Sequence, residues 1–307
     1  LYNGTYLTGT LTVNGSFSRS GGTVSPTLTG MTVTQASGGL APGALTINGP
    51  VSLIASTGAL NLDSIAGTTI LGKAGGGNVT LNSGASLSAS GTGNSLVLAA
   101  SGNFVNNAGA SALAAPAGRW LVYAADPGSV TKNGLSPTFY QYNTTSAGTV
   151  AATGNSFIYA SPLYVDANFT GTLSNTFGSS PTATPGYALR GLDSSDSATA
   201  AAITGGASYS NWPITTSTSA GTYALQYVSG LSASAFYSLT PGTSQSYTVN
   251  PAGLQAIAAL LTGTANKVYD GTTNATLVPG NFLLSGFVNS DSATVTKTSG
   301  TYSSKNV

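Results

Sequence analysis

The sequence predicts an all-β protein in which a parallel β-helix (solenoid) is followed by two small β-rich modules. Three observations lead to this prediction. Charged residues make up 5% of the 307-residue chain, against about 25% in ordinary soluble domains, yet 41% of the chain is hydrophobic. The apolar residues form short runs that alternate with polar ones, and glycine-rich turns separate the runs. The runs also return at intervals too short for a strand, a crossover helix and a second strand.

The repeat is clearest in residues 1–115. Its apolar runs begin at Leu45, Leu60, Val79 and Leu96, which are 15, 19 and 17 residues apart. Within a run, alternate residues such as Leu45 and Ile47 point to the same face, as in a half-buried strand. One turn of a solenoid cannot bury such a face alone, but stacked turns share a continuous core. We therefore expect each run to belong to one rung of a parallel β-helix.

The alternative architecture is an antiparallel meander. Two-residue hairpins favour Asn-Gly, and the pairs Asn14-Gly15 and Asn48-Gly49 each follow an apolar run. Such pairs do not recur regularly along the repeat, whereas the apolar runs persist. The repeat therefore favours the solenoid over the meander.

The composition changes along the chain and divides it into four segments. Aromatic residues become frequent after Gly118, where a solenoid needs a cap over its last rung, and we interpret them as cap and junction packing. The run Leu254–Leu261 is rich in residues of helical propensity, but its neighbours are strand-like and we interpret it as a strand. The predicted segments are β-helix rungs with an end cap in 1–127, a junction in 128–156, a β module in 157–251 and a second β module in 252–307.

The composition also excludes several classes of function. The chain has no His, no Cys and no Glu, so it cannot form a Ser-His or Cys-His nucleophile pair, a His or thiolate metal site, or a disulfide framework. Its net charge is +1 and its basic residues are spread from Arg19 to Lys305, which leaves no footprint for nucleic acid. The longest apolar runs, such as Trp120–Ala125, are far shorter than the roughly 20 residues of a membrane-spanning helix. We expect no enzymatic activity, no cofactor, no metal ion, no nucleic-acid partner and no membrane span.

Three parts of the chain resemble known bacterial families. Asn106-Asn107-Ala108-Gly109 and the later Ala115–Tyr123 resemble the end of the β-helical region of filamentous haemagglutinin-type exoproteins, the secreted partners of two-partner secretion. Ser219–Tyr223, together with Tyr237–Thr240 and Tyr247–Ala252, resembles an MBG repeat module. Lys267–Leu277 closely resembles the signature of YDG repeat modules.

The resemblance implies a structural segment of a large secreted or cell-surface bacterial adhesin, with an MBG-like module in 157–251 and an incomplete YDG module in 252–307. It implies export through an outer-membrane transporter partner and an extracellular location. Host or cell-surface glycans, or further copies of the protein, would be its partners. The secretion domain that begins such exoproteins is absent from this sequence, so we interpret the chain as an internal fragment.

The best-defined local motif is Lys267-Val268-Tyr269-Asp270-Gly271. An Asp-Gly pair between strand-like runs indicates a tight turn, because Gly accepts a positive φ and Asp hydrogen-bonds its own loop. Lys267 is close enough in sequence to pair with Asp270. We interpret Lys267, Tyr269, Asp270 and Gly271 as a structural turn that fixes strand register.

A glycan-binding surface is the alternative function. Tyr209, Trp212, Tyr223 and Tyr227 lie in the 157–251 segment, and their rings could form a stacking platform for sugars. The same rings are also the expected core of a small domain with few other large side chains. The exposure of Trp212 distinguishes the two interpretations.

A calcium site is the third hypothesis. Asp193 and Asp196 lie in a serine-rich stretch and offer two carboxylates. A full calcium site takes about six to eight oxygen ligands and usually more acidic charge, so a solvated turn is the simpler interpretation.

An intramolecular isopeptide bond is the fourth hypothesis, because such bonds suit stalk modules. Lys267 or Lys297 could be joined to Asn281. The reaction normally needs a buried carboxylate to move protons, and only Asp270 or Asp291 could supply it there. We therefore do not expect this bond.

Overall fold

The structure is a computed structural model of the chain. It describes residues 10–13, 17–18, 30–150, 152–253, 258–262, 267–287 and 292–305. It is nearly all β, with 43% strand and 4% helix, and the described residues include no helix long and apolar enough to cross a bilayer. The chain divides into two compact units, described separately below: residues 1–166, 188–207 and 229–243 form the first, and residues 167–187, 208–228 and 244–307 form the second.

Short strands account for most of the regular structure. The first eighteen are β1 (Thr10–Val13), β2 (Phe17–Ser18), β3 (Met31–Gln35), β4 (Leu40–Ala41), β5 (Leu45–Thr46), β6 (Val51–Ala55), β7 (Leu60–Leu62), β8 (Ile65–Gly67), β9 (Ile70–Ala74), β10 (Val79–Leu81), β11 (Leu87–Ala89), β12 (Gly93–Ala100), β13 (Phe104–Asn106), β14 (Leu113–Ala114), β15 (Gly118–Ala124), β16 (Val130–Thr131), β17 (Phe139–Gln141) and β18 (Ser156–Tyr159). The later strands are β19 (Leu163–Ala167), β20 (Ser174–Thr176), β21 (Tyr187–Arg190), β22 (Thr204–Tyr209), β23 (Gly221–Leu225), β24 (Tyr227–Ser232), β25 (Leu239–Pro241), β26 (Gln245–Asn250), β27 (Ala258–Leu261), β28 (Asn274–Thr276), β29 (Phe282–Ser285) and β30 (Ser299–Thr301). A short helix α1 spans Ala198–Ala201, and 3₁₀ turns span Pro127–Ser129 and Pro279–Asn281.

Strands β1 to β18 build a parallel β-helix. They form three sheets, in the orders β1-β3-β6-β9-β12-β15-β18-β17, β16-β13-β10-β7-β4-β2 and β14-β11-β8-β5. Every pairing within these sheets is parallel, as in β6 with β9 and β7 with β10. From β4 to β15 the chain visits the three sheets in rotation, so one turn contributes one strand to each sheet. The predicted fold class is therefore confirmed, and the antiparallel meander is wrong.

The length of one turn differs from the expected spacing. Leu60 and Val79 are register partners, so 19 residues are one turn, and the next turn reaches Phe104. Leu45 and Leu96 belong to the other two sheets, so the spacings of 15 and 17 residues join strands on different faces. Strands of all three sheets show the same alternation of apolar and polar residues. The sequence therefore does not show to which sheet a given strand belongs, or how many strands make one turn. The pair Asn48-Gly49 lies at a corner between β5 and β6, and Asn14-Gly15 lies outside the described residues.

The core of the β-helix consists of the inward residues of all three sheets. In β9, for example, Ile70, Gly72 and Ala74 are buried while Leu71 and Lys73 are exposed. Its fully buried aliphatic side chains include Leu40, Leu53, Leu60, Leu62, Ile65, Ile70, Leu81 and Leu87. Each such side chain contributes about 1.5–3 kcal/mol relative to an exposed one, so stacking supplies the free energy that a single turn lacks.

The corners between strands bring backbone segments of successive turns together. A Cβ atom at Gly75 would lie 2.1 Å from the backbone oxygen of Ser56 in the preceding turn. The Gly75 amide donates a hydrogen bond to the Ala55 oxygen at 2.7 Å, so the two turns are held at this distance. Glycine is required here because the two backbones approach so closely that they leave no room for a Cβ atom. Its own backbone conformation does not require glycine, because its φ is not in the left-handed region.

The parallel ladder continues past residue 127, where the sequence placed the end of the rungs. Strand β17 lies inside the segment predicted to be a junction, and its partner β18 starts at the last residue of that segment and continues into the predicted 157–251 module. Strand β18 also pairs with β15. Three aromatic side chains fill the interior at this end: the rings of Trp120 and Phe157 are 5.4 Å apart, and those of Phe104 and Phe157 are 6.0 Å apart. A further sheet of order β21-β19-β25 follows in the chain.

The second unit has its own sheets and a separate aromatic core. Strand β26 pairs antiparallel with β23 and parallel with β20. Nearer the carboxyl end, β27 pairs antiparallel with β29, and β28 pairs antiparallel with β30. Part of the run Leu254–Leu261 is thus a strand, because Ala258–Leu261 finds a partner in Phe282–Ser285, while residues 254–257 lie outside the described part.

Candidate functional site: a buried carboxylate cluster

The most concentrated polar chemistry of the first unit surrounds Asp193. This residue is 3% exposed, although it lies in a serine-rich loop after β21. Lys132 Nζ contacts its Oδ1 atom, and the Tyr159 hydroxyl donates a hydrogen bond to its Oδ2 atom. The backbone amide of Ser195 donates to Oδ1 at 2.9 Å. Each carboxylate oxygen of Asp193 is therefore held by a side chain from the β-helix.

Asp196 completes the cluster through two tyrosines. The Tyr142 hydroxyl donates to Asp196 Oδ2 at 2.8 Å, and the Tyr237 hydroxyl donates to Oδ1 at 2.9 Å. Tyr142 also accepts a hydrogen bond from the Asp193 amide at 3.0 Å, so it links the two aspartates. The Tyr142 and Tyr237 rings are stacked, with centroids 5.2 Å apart. We call Lys132, Tyr142, Tyr159, Asp193, Asp196 and Tyr237 the carboxylate cluster.

The β-helix positions the members of this cluster. Tyr159 is the last residue of β18, and Lys132 directly follows β16. The Lys132 carbonyl accepts a hydrogen bond from Asn106 Nδ2 at 2.8 Å, and Asn106 is itself fully buried at the end of β13. The lysine backbone is thus tied to the previous turn of the helix. Ser197 caps α1 by accepting a bond from the Ala200 amide at 3.1 Å, which shapes the loop after Asp196.

The protonation states follow from burial and from the partners. Burial raises the pKa of Tyr159, and its hydrogen bond to Asp193 raises it further. Burial and the hydrogen bond to Asp196 likewise raise the pKa of Tyr237, while Tyr142 has a raised pKa mainly because it is buried. Burial lowers the pKa of Lys132, but the hydrogen bond and charge of Asp193 outweigh it, so this pKa lies above its ordinary value. The tyrosines therefore remain hydrogen-bond donors, and the contact with Asp193 favours the ammonium form of Lys132 over the free amine.

A groove of about 410 Å³ lies beside the cluster. Two of its walls are aromatic: the Phe139 and Phe236 rings have centroids 5.6 Å apart, and the half-buried ring of Tyr237 lies near them. Asp196 is the charged side chain in its lining. The full lining consists of residues 135–140, 195–197, 200, 236 and 237. We call this the Phe236 groove.

The structure changes the interpretation of Asp193 and Asp196. The simpler sequence interpretation, a solvated turn, is wrong for Asp193, because its carboxylate is buried against Lys132 and Tyr159. A calcium ion would have to displace the ammonium group that already neutralises this carboxylate. The described residues contain no cluster of three or more acidic, His or Cys side chains that could hold a metal ion.

The four aromatic residues suggested as a glycan platform lie largely in the core of the second unit. Tyr209 and Tyr227 are each 6% exposed. Trp212 is half-buried and packs edge-on against Phe169, with ring centroids 4.9 Å apart. Tyr223 is half-buried, and its hydroxyl donates to the Ser219 oxygen at 2.7 Å. These contacts favour the core interpretation over an open stacking surface.

The predicted turn around Asp270 is present. Lys267 Nζ donates to Asp270 Oδ1 at 2.7 Å, and the Thr272 amide donates to the same atom at 2.9 Å. Gly271 has φ of 74°, and Tyr269 is exposed. The hydrogen bond from Lys267 lowers the pKa of Asp270 to about 2, with a further contribution from Thr272.

The residues considered for an isopeptide bond do not meet in a buried site. Lys267 is engaged by Asp270 and Thr272 at the surface. Lys297 is exposed, and the Asn281 side chain accepts a bond from the Val278 amide at 2.9 Å. Asp291 lies outside the described residues.

Sequence reasoning missed Lys132, Tyr142 and Tyr159 as partners of the aspartates. Lys132 and Asp193 are 61 residues apart, and no local motif connects them. The available signal was the appearance of several tyrosines after residue 118, which the sequence interpretation assigned to cap packing in general.

Comparison with known proteins addresses the carboxyl-terminal part of the chain. Residues 250–307 match the YDG domain. The predicted YDG identity of this segment is thereby confirmed, and the match begins two residues before the predicted start at 252. No curated protein and no solved structure matches the chain.

Proposed function

We propose that this chain is a structural segment of a large secreted or cell-surface bacterial adhesin. In this role the β-helix is a stiff stalk, and the following β modules are spacer or presentation units. The observation that carries the proposal is the continuous parallel pairing of β1 to β18, which precede a YDG domain in the chain. The role is mechanical and not catalytic, and export would use an outer-membrane transporter partner, as in two-partner secretion.

The physical support for a stalk is the direction of its hydrogen bonds. Backbone bonds between successive turns run along the β-helix axis, as in the Leu60 amide bond to the Asn78 oxygen at 2.8 Å. Each turn adds about 4.8 Å to the length, and the shared aliphatic core resists sliding between turns. The chain has no cysteine, so oxidation during export cannot trap it in a misfolded form.

Force spectroscopy tests the mechanical part of the proposal. Because the chain has no cysteine, Thr57→Cys and Ser146→Cys provide unique exposed attachment points for handles. We expect a force-resistant structure that lengthens in discrete steps as successive turns detach. Extension at low force without steps, as for a flexible coil, would contradict the stalk.

Surface labelling tests the location. An antibody against the chain should label intact cells of the bacterium that encodes it, and external protease should remove that label. Labelling that requires lysed cells would contradict the extracellular assignment. A cytoplasmic protein in the same cells is the control for intact envelopes.

Glycan binding is the second candidate, and the Phe236 groove favours it over the Trp212 group. The groove combines the ring surfaces of Phe139 and Phe236 with the Asp196 carboxylate, a combination that suits a neutral, hydroxyl-rich ligand. Wild-type protein should bind members of a glycan array, Phe236→Ala should lose that binding, and Trp212→Phe should keep it. An array on which the wild type binds nothing removes this candidate.

A further inference from the structure

The contact between Lys132 and Asp193 differs from the other ion pairs of the described residues. The side chains of Lys132 and Asp193 are 16% and 2% exposed, whereas those of Lys267 and Asp270 are 26% and 54% exposed. The Lys132 Nζ atom also lies 5.4 Å from the centre of the Tyr140 ring. The pair therefore holds an amine and a carboxyl group in contact, largely shielded from water.

We propose that Lys132 and Asp193 condense to an amide, an isopeptide bond that joins the β-helix to the loop after β21. This proposal rests on the geometry of the pair and not on the stalk function, so its failure would leave that function intact. It uses a different lysine and a different acceptor from the Lys–Asn bond considered for the YDG segment.

The surroundings favour the amide over the ion pair. In water, hydration of the ammonium and carboxylate groups stabilises the separated ions, but a buried pair loses that hydration. The neutral amide no longer has this desolvation penalty, and its oxygen can keep the hydrogen bond from Tyr159. The fold also holds the two groups in contact, which replaces a bimolecular encounter with an intramolecular step.

The reaction balances without any other reactant, and Asp193 is itself the buried carboxylate that moves the protons. A proton passes from Lys132 Nζ to Asp193 Oδ1, with which it is in contact, and the neutral amine then attacks Cγ. The developing negative charge on Oδ2 is stabilised by the hydrogen bond from the Tyr159 hydroxyl. A second proton moves from the nitrogen to Oδ1, the Cγ–Oδ1 bond breaks and one water molecule leaves. Oδ2 becomes the amide oxygen. The water molecule can leave past Ser195, whose side chain is exposed and also contacts Nζ.

The bond would strengthen the end of the β-helix. It would close a covalent loop between residues that are 61 positions apart. Such a loop restricts the unfolded chain and prevents the last turns from separating from the cluster.

Intact mass spectrometry of the full chain tests the proposal. The folded wild type should be lighter than its sequence by the mass of one water molecule. Trypsin cleaves after Lys and Arg, so an unlinked chain yields peptides 120–132 and 191–267. A linked chain should instead yield one species in which residues 120–190 are joined to 191–267, because modified Lys132 is not cleaved. Full mass together with the two free peptides would overturn the proposal.

Substitutions separate this bond from other losses of water. Lys132→Arg keeps the positive charge but not the nucleophile, and Asp193→Ala removes the acceptor, so both should have full mass. Lys267→Arg, in the exposed pair, is the matched control and should still lack one water. Succinimide formation at Asp270-Gly271 also releases water, so a loss that persists in Lys132→Arg, in the absence of the linked peptide from the wild type, would overturn the amide. If either variant fails to fold, the linked peptide of the wild type still decides.

Discussion

The packing between Gly72 and Leu98 makes a quantitative prediction about the β-helix core. Gly72 faces inward in β9 and is the register partner of Leu98 in β12. A Cβ atom at Gly72 would lie 2.8 Å from Leu98 Cδ2 and 3.1 Å from Leu60 Cδ2. The leucine of the next turn thus occupies the space that a side chain at position 72 would need.

Gly72→Ala and Leu98→Ala should each destabilise the protein, but for opposite reasons. Gly72→Ala overpacks the core and should lower the free energy of unfolding by about 1–3 kcal/mol. Leu98→Ala leaves a cavity and should lower it by about 2–5 kcal/mol. In the double variant the new methyl group enters the cavity. The combined loss should therefore be smaller than the sum, with a coupling of about 0.5–3 kcal/mol.

Urea denaturation followed by tryptophan fluorescence measures these losses. Trp120 is buried in the first unit, and replacement of Trp212 by Phe leaves it as the single tryptophan, which can be excited apart from the tyrosines. Gly206→Ala is the matched control, because nothing lies within 4 Å of the added atom and its φ is not positive. We expect that control to be neutral or slightly stabilising. Losses that add to within about 0.5 kcal/mol in the double variant would refute the packing argument.

Three further predictions concern a corner, a buried amide and a surface turn. Gly75→Ala should lower the melting temperature more than Gly84→Ala, because its Cβ atom would lie 2.1 Å from the Ser56 backbone oxygen. Gly84→Ala has only the backbone strain of a positive φ of 75°, since nothing lies within 4 Å of its added atom; equal shifts would contradict this prediction. Asn106→Ala removes two hydrogen bonds that the side chain donates to carbonyls and two that it accepts from backbone amides. It should lower the free energy of unfolding, measured by urea denaturation, by at least about 2 kcal/mol. A decrease near zero would show that solvent replaces these hydrogen bonds. The pKa of Asp270 is about 2 in the folded protein and about 3.9 in the unfolded chain. Ionised Asp270 should therefore contribute its full stabilisation of the folded state above about pH 4, and this contribution should be lost as the pH falls through 2. An NMR titration should show this low pKa, and Lys267→Ala should return it towards the ordinary value; an unchanged pKa in that variant would rule out the lysine as its cause.

The Asp270 turn was predictable from sequence because its parts are neighbours in the chain. Lys267, Asp270 and Thr272 lie within six consecutive residues, so the spacing itself indicates the contacts. The fold class was predictable for a similar reason, since alternation along a strand reports which side chains are buried. Lys132 and Asp193 gave no such signal, because an aspartate among serines has the same local pattern whether it is solvated or buried.

The sequence by itself determined that this chain is all-β, that its first part winds as a solenoid and that its last part is a YDG domain. Only the tertiary structure decided the length of each turn, since three faces with equal alternation cannot be told apart until the strands pair. It also decided that Lys132, Tyr142 and Tyr159 enclose the two aspartates. That arrangement depends on chain segments that are far apart in sequence and that only the folded β-helix brings together. Electrostatic contacts at such separations produce no periodic pattern in the sequence.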